Sequence, residues 1–203
     1  MSLIATASGS ANVPLLAEGT YAATCYLLAD IGSQYNENFK NPSHKVVIGW
    51  EVAGEYVEIN GEPTPRTVYN TYTLSLNEKS KLRKDLIPWR GRDFTPEELR
   101  AFNLRSIVGA PCFLQIIHRE VNGQKYANIA AIMTLPRGMG KPECQLSPII
   151  YDIEDDRPEK ADELPKWITE KVKASEEYKM RTLPADGDAP VIHEIEDDGE
   201  LPF

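Results

Sequence analysis

Two Asn-Gly dipeptides constrain this chain more than anything else in it. The clearer one, Asn122-Gly123, separates APCFLQIIHREV (110–121) from QKYANIAAIMTL (124–135). Both flanks are rich in apolar, β-branched and aromatic residues. Asn and Gly reach positive φ cheaply, so a two-residue turn that matches the twist of paired strands is the natural outcome. The second dipeptide, Asn60-Gly61, lies in the turn-rich EINGEPTPR (58–66), between SHKVVIGWEVAG (43–54) and TVYNTYTLSL (67–76). In the former, Val46, Ile48, Trp50 and Val52 recur at period two and predict one buried strand face, with Trp50 in the core. GTYAATCYLLADI (19–31) precedes them as a further strand.

Between the third and fourth strands the period changes. NEKSKLRKDLIPW (77–89) predicts a helix capped by Asn77, with Leu82, Leu86 and Ile87 inward. TPEELRAFNL (95–104) offers Thr95 as N-cap, Pro96 at the first helical position and Glu98 three residues after the cap, a capping box. The order β-β-β, helices, β-β predicts a mainly β chain: an OB-fold-like five-stranded Greek-key barrel with short helices between strands 3 and 4. A generic small barrel or an open α+β sheet would give the same string. The barrel is assigned to 18–150, after a flexible arm over 1–17. Residues 151–181 read as an extended linker with a short helix over 166–181, where Trp167, Ile168 and Val172 form an apolar stripe.

The net charge of −9 divides unevenly. Residues 1–150 carry 15 Lys and Arg against 14 acids, while 151–203 carry 7 against 17. Beyond Arg181 there is no Lys or Arg, and seven acids occupy the last 22 residues. Such a stretch cannot bury enough apolar surface to order itself, so 182–203 is predicted to be a disordered acidic tail. The three cysteines show no C-x-x-C spacing, which argues against a disulfide framework or a zinc site. No leader pattern and no run of about 20 apolar residues appears, so a cytoplasmic protein without a membrane partner is expected. Catalysis is not expected, nor any cofactor or metal. His44, His118 and His193 have no sequence-local triad or metal partners, and RGMGK (137–141) is too short for a phosphate loop.

The tail closes on EIEDDGELPF. Acids followed by a terminal Leu-Pro-Phe fit a partner with an apolar pocket and a basic rim. Phe203 would fill the pocket, its carboxylate pairing with the rim, while Asp197, Asp198 and Glu200 meet the surrounding cations. Pro202 keeps the peptide extended, lowering the entropy lost on docking. A merely solubilising tail is the competing reading.

DDGELPF resembles the C-terminal tip of bacterial and phage single-stranded DNA-binding proteins, where an acidic run ends in Pro-Phe. The resemblance implies that Asp197, Asp198, Leu201, Pro202 and Phe203 recruit replication or recombination proteins. Gly199 and Glu200, inserted before the Leu, depart from the usual bacterial tip. The core layout and EELRAFNLRSIVGAPCFLQIIHREVNGQKYANI look similar to bacteriophage or prophage versions of that family. It implies a host-cell cytoplasmic protein that coats exposed strands in replication or recombination. A strand-annealing recombination protein, or a β module that binds protein rather than nucleic acid, would share many of these features.

Sequence-independent single-strand binding needs cations for phosphates and aromatic platforms for bases. The candidates are Lys45 and Arg66 flanking the first hairpin, Tyr69 beside Thr67, Thr71 and Thr73, Phe113 and Arg119 on one strand face, Lys125 and Tyr126 after the turn, and Arg137 and Lys141 beyond the last strand. Each aromatic could equally be a half-buried sheet residue. The basic stretch Lys79–Arg105 reads either as a phosphate-steering surface or as the solvated face of two helices. The sequence is compatible with a homo-oligomer. The acidic tail, mimicking phosphates, would compete with DNA for the basic groove.

Overall fold

The computed structural model describes residues 14–36 and 39–182. Strands β1 (Gly19–Asn36), β2 (Phe39–Ile59) and β3 (Glu62–Thr73) form an antiparallel meander. Helices α1 (Lys81–Arg90) and α2 (Pro96–Arg100) and a 3-10 turn at Leu104–Ile107 follow. Strands β4 (Pro111–Val121) and β5 (Gln124–Met133) make the second hairpin. Both Asn-Gly turns form as expected, with φ of 54° and 84° at Asn60 and Gly61, and 52° and 76° at Asn122 and Gly123. A short strand β6 (Ile149–Tyr151) joins β1 in parallel, and helices α3 (Lys166–Ala174) and α4 (Glu176–Thr182) end the described chain.

The strand order is β3-β2-β1-β4-β5, so the sheet is open between β3 and β5. One buried cluster draws on all five of these strands and on α1, so the sheet curls around it. Leu82, Leu86 and Trp89 of α1, four and then three residues apart, plug this core, and Trp89 lies 5.7 Å from Trp50. Tyr72 on β3 donates to Asp85 on α1 at 2.8 Å, and Thr134, just past β5, donates to the Pro88 carbonyl at 3.0 Å. The helix thereby ties both free edges of the sheet together. Its cap differs from expectation. Ser80, not Asn77, receives the Arg83 N–H, while the Asn77 carbonyl closes a turn on Ser80. The Thr95–Glu98 capping box forms as predicted.

β1 is buried on both faces, which its composition did not announce. Ala23, Cys25 and Leu28 face the first core, whereas Tyr26, Leu27, Ala29 and Ile31 face a second. A register shift between Cys25 and Leu27 against β2 is a bulge that sends adjacent residues Tyr26 and Leu27 to the same side.

Residues 151–182 form the other half of that second core instead of an extended linker. Ile153, Ala161, Leu164, Ile168 and Val172 are buried against the outer face of β1. The helix expected over 166–181 breaks at Ser175, a buried residue whose hydroxyl donates to the Val172 carbonyl and accepts from the Tyr178 N–H. α4 is clamped to the sheet through Glu177, which accepts from the Ser33 hydroxyl at 2.6 Å and backbone at 2.9 Å. His44 on β2 sits between Asp30 of β1 at 2.7 Å and Glu177 at 3.8 Å.

Two outcomes test this architecture. Ile168→Ala is expected to lower the unfolding free energy in urea by about 2–5 kcal/mol, whereas a linker position would change it by less than about 0.5 kcal/mol. The hydrogen bond to Asp30 raises the His44 pKa against the opposing effect of burial, with the charges of Asp30, Glu177 and Glu154 adding to the rise. A raised folded value means that charged His44 stabilises the fold fully below its ordinary value of 6.5. That contribution is lost as pH climbs through the folded value. The urea midpoint should therefore fall from pH 6.5 upward in the wild type and stay flatter in His44→Gln; equal slopes would remove His44 from the clamp.

Candidate nucleic-acid interface

The outer face of the curled sheet carries most of the predicted contact residues, in two patches on either side of β1 and its C-terminal cover. The first lies on β2 and β3. Thr67, Tyr69, Thr71 and Thr73 alternate outward on the edge strand, and Lys45, opposite Thr73 in the register, donates to its hydroxyl at 2.6 Å. Tyr69 is half-buried. Its hydroxyl lies 2.5 Å from that of Tyr26, and its ring meets Trp167 of α3 at 5.4 Å, with planes inclined by 78°. Gly49, opposite Tyr69, makes room for the ring, since a Cβ there would lie 2.8 Å from it. Burial first, then the neighbouring Tyr69 hydroxyl, pushes the Tyr26 phenol well above its ordinary pKa, so it stays protonated. Tyr26 and Tyr69 border a groove of about 540 Å³, with Val57, Ile59 and Pro65 on one side and Leu164 and Pro165 on the other.

The second patch is the outer face of the β4–β5 hairpin. Phe113 pairs with Met133 in the register, and Arg119 lies directly opposite Tyr126. Phe113 is half-buried, and Arg119 and Tyr126 are exposed. Lys125 pairs with Glu120, one residue out of phase with Arg119 and Tyr126, and thus faces the other way. Three of the four hairpin candidates therefore share this face, Arg119 and Tyr126 as neighbours and Phe113 about 20 Å along the strand, and Lys125 does not.

Arg66 also lines the groove of the first patch, while its guanidinium donates to the Pro14 carbonyl and tethers the entering chain. Arg137 and Lys141 are exposed on the segment after β5. That segment is held down by Glu51, a carboxylate 4% exposed on the outer face of β2. Glu51 accepts from the backbone N–H groups of Gln145 at 2.9 Å and Leu146 at 2.8 Å and from the Cys144 thiol at 3.4 Å. Burial first, and then the Glu51 carboxylate, raise the Cys144 pKa to about 11, so it remains a donor.

The basic stretch Lys79–Arg105 is largely spent on internal pairing. Lys81 pairs with Asp85, Arg83 with Asp93, Arg90 and Arg92 with Glu98, and Arg105 with Asp152 and Asp155. The Arg90 guanidinium also lies between the Phe94 and Phe102 rings, at 4.2 and 4.8 Å. Among the described residues this favours a structural role over phosphate steering. Asp197, Asp198, Glu200, Leu201, Pro202 and Phe203 lie outside the described residues, as does His193.

Sequence reasoning missed Tyr26, Glu51 and Trp167. The sequence places Trp167 on the apolar stripe of its helix, yet it is 37% exposed while Ile168 and Val172 are buried. The four-residue spacing of Ile168 and Val172 was the available signal, because position 167 falls about 100° off that line. Among the described residues no helix is long and apolar enough to cross a membrane. No family model matches the chain, and no curated protein matches its sequence.

Removing the Glu51 anchor tests how the cationic segment is held. Glu51→Ala leaves two N–H groups without their acceptor and is expected to cost about 2–4 kcal/mol of stability. Trypsin should cleave faster after Arg137, which precedes Gly138, under native conditions; an unchanged cleavage rate would mean that another contact fixes the segment.

Proposed function

We propose that this protein binds single-stranded DNA without sequence preference, along the outer face of its curled sheet, in phage replication or recombination. The observation that carries the reading is the strand order β3-β2-β1-β4-β5 with the helices between β3 and β4. It is the connectivity of an OB barrel opened at the β3–β5 seam, an architecture suited to oligonucleotides. The two outer patches support the reading further, because each combines an aromatic ring with a cation, the pairing that sequence-tolerant stacking requires. The acidic tail has two roles in this proposal. It competes with DNA for the cationic surface in the free protein, and its Leu-Pro-Phe end recruits partner enzymes once DNA displaces it.

Fluorescence anisotropy of labelled oligo-dT across a salt series tests the proposal, comparing the full chain with one ending after Thr182. Binding by both is expected, with log affinity falling by about 0.7 per phosphate contact per log unit of salt. The shortened chain should bind more tightly at low salt. Arg119→Ala combined with Tyr126→Ala should weaken binding about tenfold or more, the loss of one stacked base and one phosphate contact. Unchanged affinity on shortening discards the competition and keeps the binding. No binding by either form would overturn the proposal in favour of a protein-binding module.

A further inference from the structure

The chain has three tryptophans, and only one of them can be reached by a ligand. Trp50 is fully buried, Trp89 is 5% exposed, and the two lie against each other in the first core. Trp167 is 37% exposed on α3. Its neighbours make it more than an incidental surface residue. Tyr69 meets it at 78°, a T-shaped contact that holds the indole in one orientation without covering it. From Tyr69 the open edge strand continues through Thr71 and Thr73, both exposed, to Lys45 on the neighbouring strand. Thr71 and Thr73 lie roughly 7 and 13 Å from Tyr69 along the strand.

The other wall of this strip is helical. Lys171 is four residues after Trp167 and therefore on the same flank of α3, and it is exposed. The Lys171 carbonyl accepts from the Gln34 side chain at 3.0 Å, which fixes that turn of the helix over β1. Among the described residues neither Lys45 nor Lys171 has a carboxylate within ion-pairing distance, whereas Lys173, on the adjoining flank, is paired with Asp162. Glu170 lies on the Trp167 flank of α3, and Glu163 lines the adjoining groove with Tyr69. The strip thus offers two adjoining rings at one end, hydroxyls along its floor and two ammonium groups without a carboxylate partner among the described residues.

We propose that Trp167 is a stacking platform for an unpaired nucleobase, with Tyr69 beside it and Lys45 and Lys171 taking the flanking phosphates. The assignment rests on the single-strand binding proposed above and deepens it. It places part of the ligand site on the C-terminal helical segment, so the barrel alone is an incomplete binding unit. Unpaired bases suit the strip better than duplex DNA, because stacking on an indole requires a base face that a duplex keeps covered.

The test titrates full-length protein with unlabelled oligo-dT while following intrinsic tryptophan fluorescence, and repeats the titration by anisotropy with labelled oligo-dT. The wild type is expected to lose fluorescence on binding. Trp167→Phe should abolish most of that quenching while retaining much of the affinity, since a phenyl ring still stacks. Trp167→Ala should weaken binding roughly 5- to 150-fold, with an unfolding midpoint near that of the wild type. Lys171→Gln should lower the salt slope by about one unit or slightly less. If the wild type binds by anisotropy but Trp167→Phe keeps its quenching, or Trp167→Ala keeps its affinity, the platform is overturned and the single-strand function stands. If the wild type does not bind oligo-dT at all, the function falls and this site falls with it.

Discussion

The structure depends on a single strand being buried twice. β1 pairs with β2 and β4 along its edges and takes β6 as an additional parallel partner. Its side chains then feed two separate cores, one enclosed by the sheet and α1, the other roofed by residues 144–182. A regular strand sends alternate residues to opposite faces, so an uninterrupted apolar run would suffice for this. The bulge at Tyr26 adds something that alternation cannot. It presents Tyr26 and Leu27 together to the outer core, and Tyr26 there meets Tyr69. The same irregularity therefore serves both the packing of the roof and the placement of the aromatic pair.

The parts of this fold that were legible in the sequence are those governed by short-range chemistry. Asn-Gly in a two-residue loop, and Thr-Pro-x-Glu at a helix start, act through groups no more than four residues apart. Both hairpins and the α2 capping box form accordingly. The cap of α1 was misassigned because Asn77 and Ser80 are both competent caps three residues apart. The choice fell to Ser80, from which Leu82, Leu86 and Trp89 reach the core together. The roof over β1 was illegible for a different reason. Its stretch from Tyr151 to Leu164 carries seven acids and Pro158, and reads as linker unless its burying surface is known. Ile153, Ala161 and Leu164 are spaced too irregularly to show a helical or strand period.

The candidate site was legible by residue type more than by position. Tyr69, Phe113, Arg119 and Tyr126 do share the outer face, because period-two alternation is a local property of strands. Arg66 is drawn aside by a longer-range event, the approach of the Pro14 carbonyl, whereas Lys125 faces away from its neighbour Tyr126 by that same alternation. The Lys79–Arg105 stretch shows the same limit with charge. A count of cations says nothing of their partners, and most of these find a carboxylate within the helical insert or on the segment after β6.

That internal pairing bears on the energetics of the proposed interface. With five of the eight insert cations committed, that stretch offers little concentrated positive charge to a phosphate chain, in a fold that is near neutral over its first 150 residues. Long-range attraction by such a surface is weak, and it falls off within a Debye length of about 8 Å at physiological salt. In the proposed function, affinity for a single strand would then come mainly from short-range contacts, of which base stacking is the sequence-tolerant kind. The seven acids of the last 22 residues would supply the charge that competes for the surface's cations. In the proposed function, the division of charge along the chain and the near neutrality of the fold would work together: a surface that held its ligand by stacking could be gated by a tail that competed for its ion pairs.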